Sequence, residues 1–459
     1  MFALPGILVL VTLVYIRPQE FIPALQSLPL LYLFLGAALF GLVIDIRLRR
    51  SRAVVTPQAW AVAAFFVWAL AGLAVRSSSS IVSYVINVGT SIALWLIIAH
   101  GIQTFRAFQT LVATLLCLAL FVSYVAADQG LSEFGCHVID ESSGDNSGAY
   151  DGRPCVTARE CYRGDPEPGA DYTCEHVGLF HTSSTGGRVR YRGQLNDPNE
   201  LSLAVGIALP FAFAFFERRR SLFSGAILAA SLILIVACVV MSESRGGQLV
   251  FLTVIGAYFI KRYGLRGLLI GAVVALPILL FGGRSGEEAE SSSLERLGCW
   301  YEGMSMVRSY PLLGVGQGQF VEHHTQTAHN SFILAPAELG LPGMFIWSVI
   351  IYLSLKIPLQ ALRDLGPERG EAPAVARTWA MALTASWCGA LVGIFFLSFC
   401  YHPVLWIYIG LSGAFWSAMR THDPSWKLEF NWRDAARVIV IDAALVVILF
   451  IYTRIKGAP

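Results

Sequence analysis

The feature that most constrains this chain is its series of apolar stretches, each close to the length of a bilayer crossing and separated by polar connections. A transmembrane helix needs about 20 mostly apolar residues. Candidates cover 2–16, 28–46, 59–75, 81–99 and 108–126, then 201–216, 222–241, 249–260 and 265–281, and finally 344–357, 379–399, 404–419 and 438–452. The fold class predicted is all-α: a polytopic integral membrane protein of about 12–14 transmembrane helices with two large polar loops. Charged residues reach only 14% and hydrophobic residues 55%, whereas soluble globular chains carry about 25% charge. Soluble enzyme folds and disordered tails are thereby excluded. A net charge of +2 provides no basic face, so no nucleic acid is expected as a partner. The first stretch lacks a positive n-region and a small-residue cleavage site, and it is read as a retained helix.

Orientation follows from arginine and lysine in the short connections. Arg47, Arg49, Arg50 and Arg52 form one group; Arg218, Arg219 and Arg220 a second; Lys261, Arg262 and Arg266 a third. Lys356, Arg363 and Arg369 follow the tenth stretch, and Arg420 and Lys427 the twelfth. Counting crossings puts all five groups on one side, the cytoplasm, and both long loops, 128–200 and 282–328, outside. Cys136, Cys155, Cys161 and Cys174 all fall in the first outer loop. An even number there predicts two disulfides, with three possible connectivities. Zinc is not expected, because no C-x-x-C pair is present. Cys117, Cys238, Cys388 and Cys400 read as packing residues, and Cys299 has no assigned partner.

The chain therefore divides into N-terminal helices (1–126), a cysteine-containing loop (127–200), central helices (201–281), a second loop with a broken helix (282–343) and C-terminal helices (344–459). No repeat of helix groups is visible, and the short cytoplasmic connections leave no room for a nucleotide-binding domain. The Gly314-Val315-Gly316-Gln317-Gly318 run looks like a phosphate cradle but lacks the strand and helix that would make it one. Chemistry at the outer face, away from cytoplasmic ATP, must use a substrate activated beforehand and delivered through the membrane.

Three polar clusters meet that face. Arg188-Val-Arg190-Tyr-Arg192 runs through Asn196-Asp-Pro-Asn199-Glu200 into a helix; Ser242-Glu243-Ser244-Arg245-Gly246-Gly247 joins two stretches; His329-Asn330-Ser331 precedes Glu338, Gly340 and Gly343. Arginine at a bilayer edge is costly without water, a partner or an anion. Its planar fork suits phosphate through bidentate, charge-assisted bonds, so several such arginines point to a diphosphate. His329 is the candidate base, ahead of a helix broken by Pro336, Gly340 and Pro342. Each has a plainer reading. Single interfacial arginines such as Arg188 and Arg190 more often snorkel, and a lone histidine is more often a hydrogen-bonded structural residue. His323 and His324 read as solvated. The acidic Asp140, Glu141, Asp145 and Asp151 do not fit an EF-hand and read as a solvated loop.

In this order, on this topology, the clusters resemble the O-antigen ligase and polymerase superfamily, from about Arg192 to Gly343. His329-Asn330 followed by Gly340-x-x-Gly343 is similar to the ligase signature, and Pro311–Phe320 to the segment preceding it. The resemblance implies a GT-C-like membrane glycosyltransferase at the periplasmic face of a bacterial inner membrane. Such enzymes move a glycan from an undecaprenyl-diphosphate carrier to a hydroxyl on an acceptor glycan, a lipid A core or a protein. It implies that Arg245 holds the diphosphate with Arg192 as a second arginine, and that His329 activates the acceptor. Asn199, Arg308 and Asn330 enter as substrate-binding residues. The mechanism expected is inverting, without metal or cofactor. Two departures stand: the cysteine insertion is foreign to the family core, and Met344 follows Gly343, which leaves ligase against polymerase open. Ile16-Arg17-Pro18-Gln19-Glu20 resembles the opening of exopolysaccharide-associated members. Two readings of other classes compete. A transporter or flippase calls for a broken helix in each half, and only 330–343 is one. A scaffold leaves the polar clusters unexplained.

Overall fold

The computed structural model describes residues 2–139, 150–163, 166–281, 287–365 and 371–456. Asp140, Glu141 and Asp145 of the acidic stretch, and Arg369 of the fourth basic group, lie outside them. Helices stand at every predicted stretch: α1 (Ala3–Ile16), α2 (Leu30–Arg47), α3 (Ala59–Arg76), α4 (Ile81–Gly101) and α5 (Phe105–Leu131) precede the first long loop. After it come α6 (Pro198–Gly206), α7 (Leu209–Arg218), α8 (Leu222–Met241), α9 (Arg245–Tyr263) and α10 (Arg266–Phe281). The remainder is α11 (Glu287–Ser309), α12 (Phe320–His323), α13 (Ser331–Asp364), α14 (Glu371–Phe395), α15 (Pro403–His422) and α16 (Trp432–Ile455). Among the described residues nine helical segments are long and apolar enough to cross a membrane, α6 and α7 counting as one. The protein is an all-α polytopic membrane protein, as its apolar pattern predicts.

Two features depart from that pattern. The second long loop, predicted to be polar and irregular, is helical over α11. Cys299, Gly303, Met306 and Val307 recur at helical spacing and are buried, and α11 packs on α13 and α16. A face of three or four such residues suffices to hold an otherwise polar helix. The first long loop carries a small antiparallel sheet ordered β2-β1-β3-β4 from β1 (Phe134–Val138), β2 (Tyr150–Pro154), β3 (Tyr172–Gly178) and β4 (Thr182–Ser183). Disulfides join Cys136 to Cys161 and Cys155 to Cys174, which selects one of the three connectivities. Cys136, Cys155, Cys161 and Tyr172 form its core, with Cys174 packed against them, too small to hold such a sheet by burial alone.

The chain forms two compact units. The first comprises Met1–Val11, Leu31–Ala113 and Ser285–Pro459. In it α13 packs on α3, α11, α14, α15 and α16, and α15 lies along α4; Trp347, Trp379, Trp387 and Trp406 are its largest fully buried side chains. The second comprises Thr12–Leu30 and Thr114–Arg284, with α6 and α7 packed on α8 and α9, and α10 on α9.

Candidate functional site

In the first unit the site grows from a helix that must break. Pro342 has no N–H, and Gly340 takes φ 70° and ψ 177°, a conformation open essentially only to glycine. The carbonyls of Ala337, Glu338 and Leu339 thereby lose their intrahelical donors. Each finds another: the N–H of Val315 donates to Ala337 O (2.9 Å), that of Gly316 to Glu338 O (3.0 Å), and Trp68 Nε1 to Leu339 O (2.8 Å). The N–H of Leu341 in turn donates to Pro311 O (2.8 Å). A side chain at Gly340 would meet Leu312 O at 2.1 Å, and one at Gly314 the Glu338 backbone at 2.2 Å. The glycine run thus fits against backbone laid bare by the break, as membrane-depth irregularity demands.

The run's N–H groups are instead taken by this chain's own backbone, Val315 and Gly316 bonding the carbonyls of Ala337 and Glu338. Phe320 N–H donates to Glu338 Oε1 (3.2 Å), and Glu338 is 2% exposed. Tyr401, between α14 and α15, lies near enough for its phenol to be raised well above the usual range, by burial first and by the Glu338 carboxylate second. Glu338 and Tyr401 were not among the expected site residues. Glu338 sits within the signature but carried no assigned role; Tyr401 gives no local signal.

His329 precedes α13, half-buried and with φ 47°, a left-handed conformation uncommon outside glycine and frequent where strain serves function. Asn330 caps α13: its Oδ1 accepts from Phe332 N–H (2.8 Å), while Nδ2 is buried without a partner among the described residues. Ser331 Oγ donates to Leu397 O (2.6 Å) and accepts from Phe399 N–H (2.8 Å), anchoring the motif to the turn before α15. Arg308 is exposed in the last turn of α11. Arg76, which carried no assignment, lies over the Tyr310 ring (4.4 Å) and donates through Nε to Gly314 O (3.2 Å).

The second unit assembles the other two clusters. Asp197 caps α6, its side chain accepting from Asn199 N–H (2.5 Å), and Ser244 caps α9, its Oγ accepting from Gly247 N–H (3.0 Å). The two caps are joined: Ser244 Oγ donates to Asn199 Oδ1 (2.7 Å), which also accepts from Arg188 Nη2 (3.4 Å). Arg188 Nε donates to Ser242 O (2.9 Å), the last carbonyl before the turn to α9. Arg245 opens α9 with its side chain exposed, at the positive end of the helix dipole where an anion is favoured.

Arg192 is half-buried and stands apart from that junction: Nη1 donates to Glu20 O (3.3 Å), and Nη2 to Phe180 O (2.5 Å) and His181 O (2.6 Å). Its Nη donors serve carbonyls, while its Nε is buried without a partner among the described residues. The Arg17–Glu20 segment lies against it. Tyr191 OH donates to Ile16 O (3.0 Å), Arg17 pairs with Glu20 (2.6 Å), and a side chain at Gly193 would meet Arg17 Cδ at 2.1 Å. Burial pushes the Tyr191 phenol up to about 12. Arg188, read as an anchor, is therefore the arginine that meets Asn199, and Arg190, read in the same way, is instead buried and donates through Nε to Ser183 O (3.0 Å). His323 is exposed as expected, whereas His324 is half-buried, its Nδ1 3.8 Å from the buried Cys299 Sγ.

Residues 229–348 match the family model described as O-antigen ligase. The match takes in Arg245, Arg308, the glycine run, His329, Asn330 and the helix break, so the expected resemblance holds over that segment. No curated protein matches the chain.

Proposed function

We propose that this chain, whose residues 229–348 carry an O-antigen ligase domain, is an inner-membrane glycosyltransferase using an undecaprenyl-diphosphate-linked glycan. The acceptor is a hydroxyl at the periplasmic face, on a lipid A core, a glycan or a protein. The acceptor oxygen attacks the anomeric carbon as the bond to the diphosphate breaks, with inversion. His329 takes the acceptor proton, and Asn330, with its buried and unsatisfied Nδ2, orients the incoming hydroxyl. Arg245 holds the departing diphosphate, with Arg188 beside it at the Asn199 junction and Arg192 adding its charge; Arg308 contributes to glycan binding. Charge grows on the diphosphate as the bond breaks, so arginine donors already in position stabilise the transition state more than the ground state.

The observation that supports this reading best is the joining of Arg188, Asn199 and Ser244 at the start of the helix that Arg245 opens. Two sequence-distant clusters meet there around one anion-favouring helix end.

Glycan profiling of cells lacking the protein tests the reading. Full-length glycan accumulating on the carrier, and absent from lipid and protein, identifies a ligase; accumulated single repeat units identify a polymerase of the same superfamily. An unchanged profile overturns the reading and favours transport. Within the reading, Arg245→Lys is expected to lower transfer by about 10²–10³-fold and His329→Ala by about 10²–10⁴-fold, with both proteins folded. Wild-type transfer by either variant removes that residue's role.

A further inference from the structure

The sheet in the first long loop ends in a tight turn, Thr185-Gly186-Gly187-Arg188, closed by bonds from Thr185 N–H to Arg188 O (3.0 Å) and from Arg188 N–H to Thr185 O (3.2 Å). Gly186 and Gly187 take φ 58° and 75°, the paired left-handed conformations of a two-residue hairpin turn. Such a turn is held here by one side chain. Glu175, on β3 and 8% exposed, accepts through Oε1 from Gly186 N–H (2.7 Å), and through Oε2 from Ser184 Oγ (2.5 Å) and Gly187 N–H (3.1 Å). A carboxylate is the side chain suited to three converging donors, since it offers acceptors only. Beyond the turn, Arg188 reaches Asn199 and Ser242, and Val189 N–H donates to Met241 O (3.2 Å). Glu175 adjoins Cys174, which the disulfide to Cys155 fastens.

We infer that Glu175 is a positioning residue for donor binding: through the Gly186–Gly187 turn it sets the Arg188 guanidinium at the Asn199–Ser242 junction, so the disulfide-pinned sheet tunes affinity for a diphosphate-linked glycan. This rests on the donor-binding reading of Arg188 proposed above. The insertion is then part of the donor site's scaffold. Glutamine at 175 would turn an NH₂ toward at least one of the three donors and loosen the turn while leaving Arg188 in the chain.

The test is steady-state transfer by the purified full-length protein in proteoliposomes, with undecaprenyl diphosphate as a competing product. Glu175→Gln is expected to raise the donor KM and weaken inhibition by undecaprenyl diphosphate, each ~10-fold, as fits the loss of charge-assisted hydrogen bonds, with kcat nearly unchanged. Arg188→Ala should raise the donor KM at least as much. The double variant should be no worse than Arg188→Ala, because residues acting through one contact are not additive. A general structural role for Glu175 would instead add its effect to that of Arg188→Ala, and that result overturns the inference. So does a normal donor KM in Glu175→Gln when Arg188→Ala raises it. A normal donor KM in Arg188→Ala removes the donor-binding role of Arg188, and the inference falls with it. Should Glu175→Gln fail to accumulate, Ser184→Ala, which removes a single bond to the carboxylate, is expected to show the same pattern at smaller size.

Discussion

The backbone around the α13 break and the side chains around the α9 cap carry polar groups by different means. In the first unit the freed carbonyls come from the break at Gly340 and Pro342, and backbone satisfies two of the three: Val315 and Gly316 donate where the helix no longer can, while the Trp68 indole takes the third. In the second unit the joints are made by side chains, with Asn199, Ser244, Arg188 and Glu175 linking one element to the next. A site built from backbone depends on shape, and one added atom disrupts it. A site built from side chains depends on charge and donor count, and it yields to isosteric substitution. The lesson is that the histidine-bearing end is insured by glycine and proline, whereas the arginine-bearing end is insured by hydrogen-bond partners and two disulfides.

That contrast can be broken in order of effect. Gly340→Ala should be the most damaging single change. It forces a side chain into the glycine-only region and against Leu312 O, at a cost of about 3 kcal/mol. A large fall in the thermal midpoint in detergent is expected, and an unchanged midpoint would show that the break is not shape-limited. Replacing Cys155 and Cys174 together by serine should cost about 3 kcal/mol, confined to the sheet. Limited proteolysis should then cut within 150–185 before any helix, and equal resistance to wild type would show that the sheet stands without its bridge. The smallest effect is alkaline. Because burial raises the folded Tyr191 phenol from its ordinary 10.0 to about 12, its contribution is complete below pH 10 and is lost as pH rises through 12. Protection of the Arg17, Gln19 and Glu20 amides, corrected for the intrinsic base-catalysed rate, should fall over that window, and Tyr191→Phe should abolish that fall; a fall unaffected by Tyr191→Phe would assign it elsewhere.

Much of this was legible in the chain. The helices stand where the apolar stretches do, because a bilayer selects for hydrophobicity over a fixed length and needs no tertiary partner to do so. The break in α13 was legible too, since Pro342 and Gly340 act through their own backbones. Three features depended on partners and were not. Polar α11 reads as loop until its buried face finds α13 and α16. The glycine run, already set aside as a phosphate cradle, shows its role only once its N–H groups are seen to bond the Ala337 and Glu338 carbonyls. Arg188 and Arg192 carry the same charge four residues apart, and only their neighbours separate the one that meets Asn199 from the one that clamps carbonyls.

By itself the sequence determined the fold class, the broken helix before the fourth-from-last stretch of residues, and the chemical types gathered at the helix ends. These follow from local properties: hydropathy, missing N–H groups and the conformational reach of glycine. The tertiary structure decided which cysteines pair, which carbonyls the glycine run bonds, and which arginine joins the α6 and α9 caps. Each of those is a choice among chemically equivalent groups. Such a choice is made by distance and angle in three dimensions, which composition and spacing do not encode.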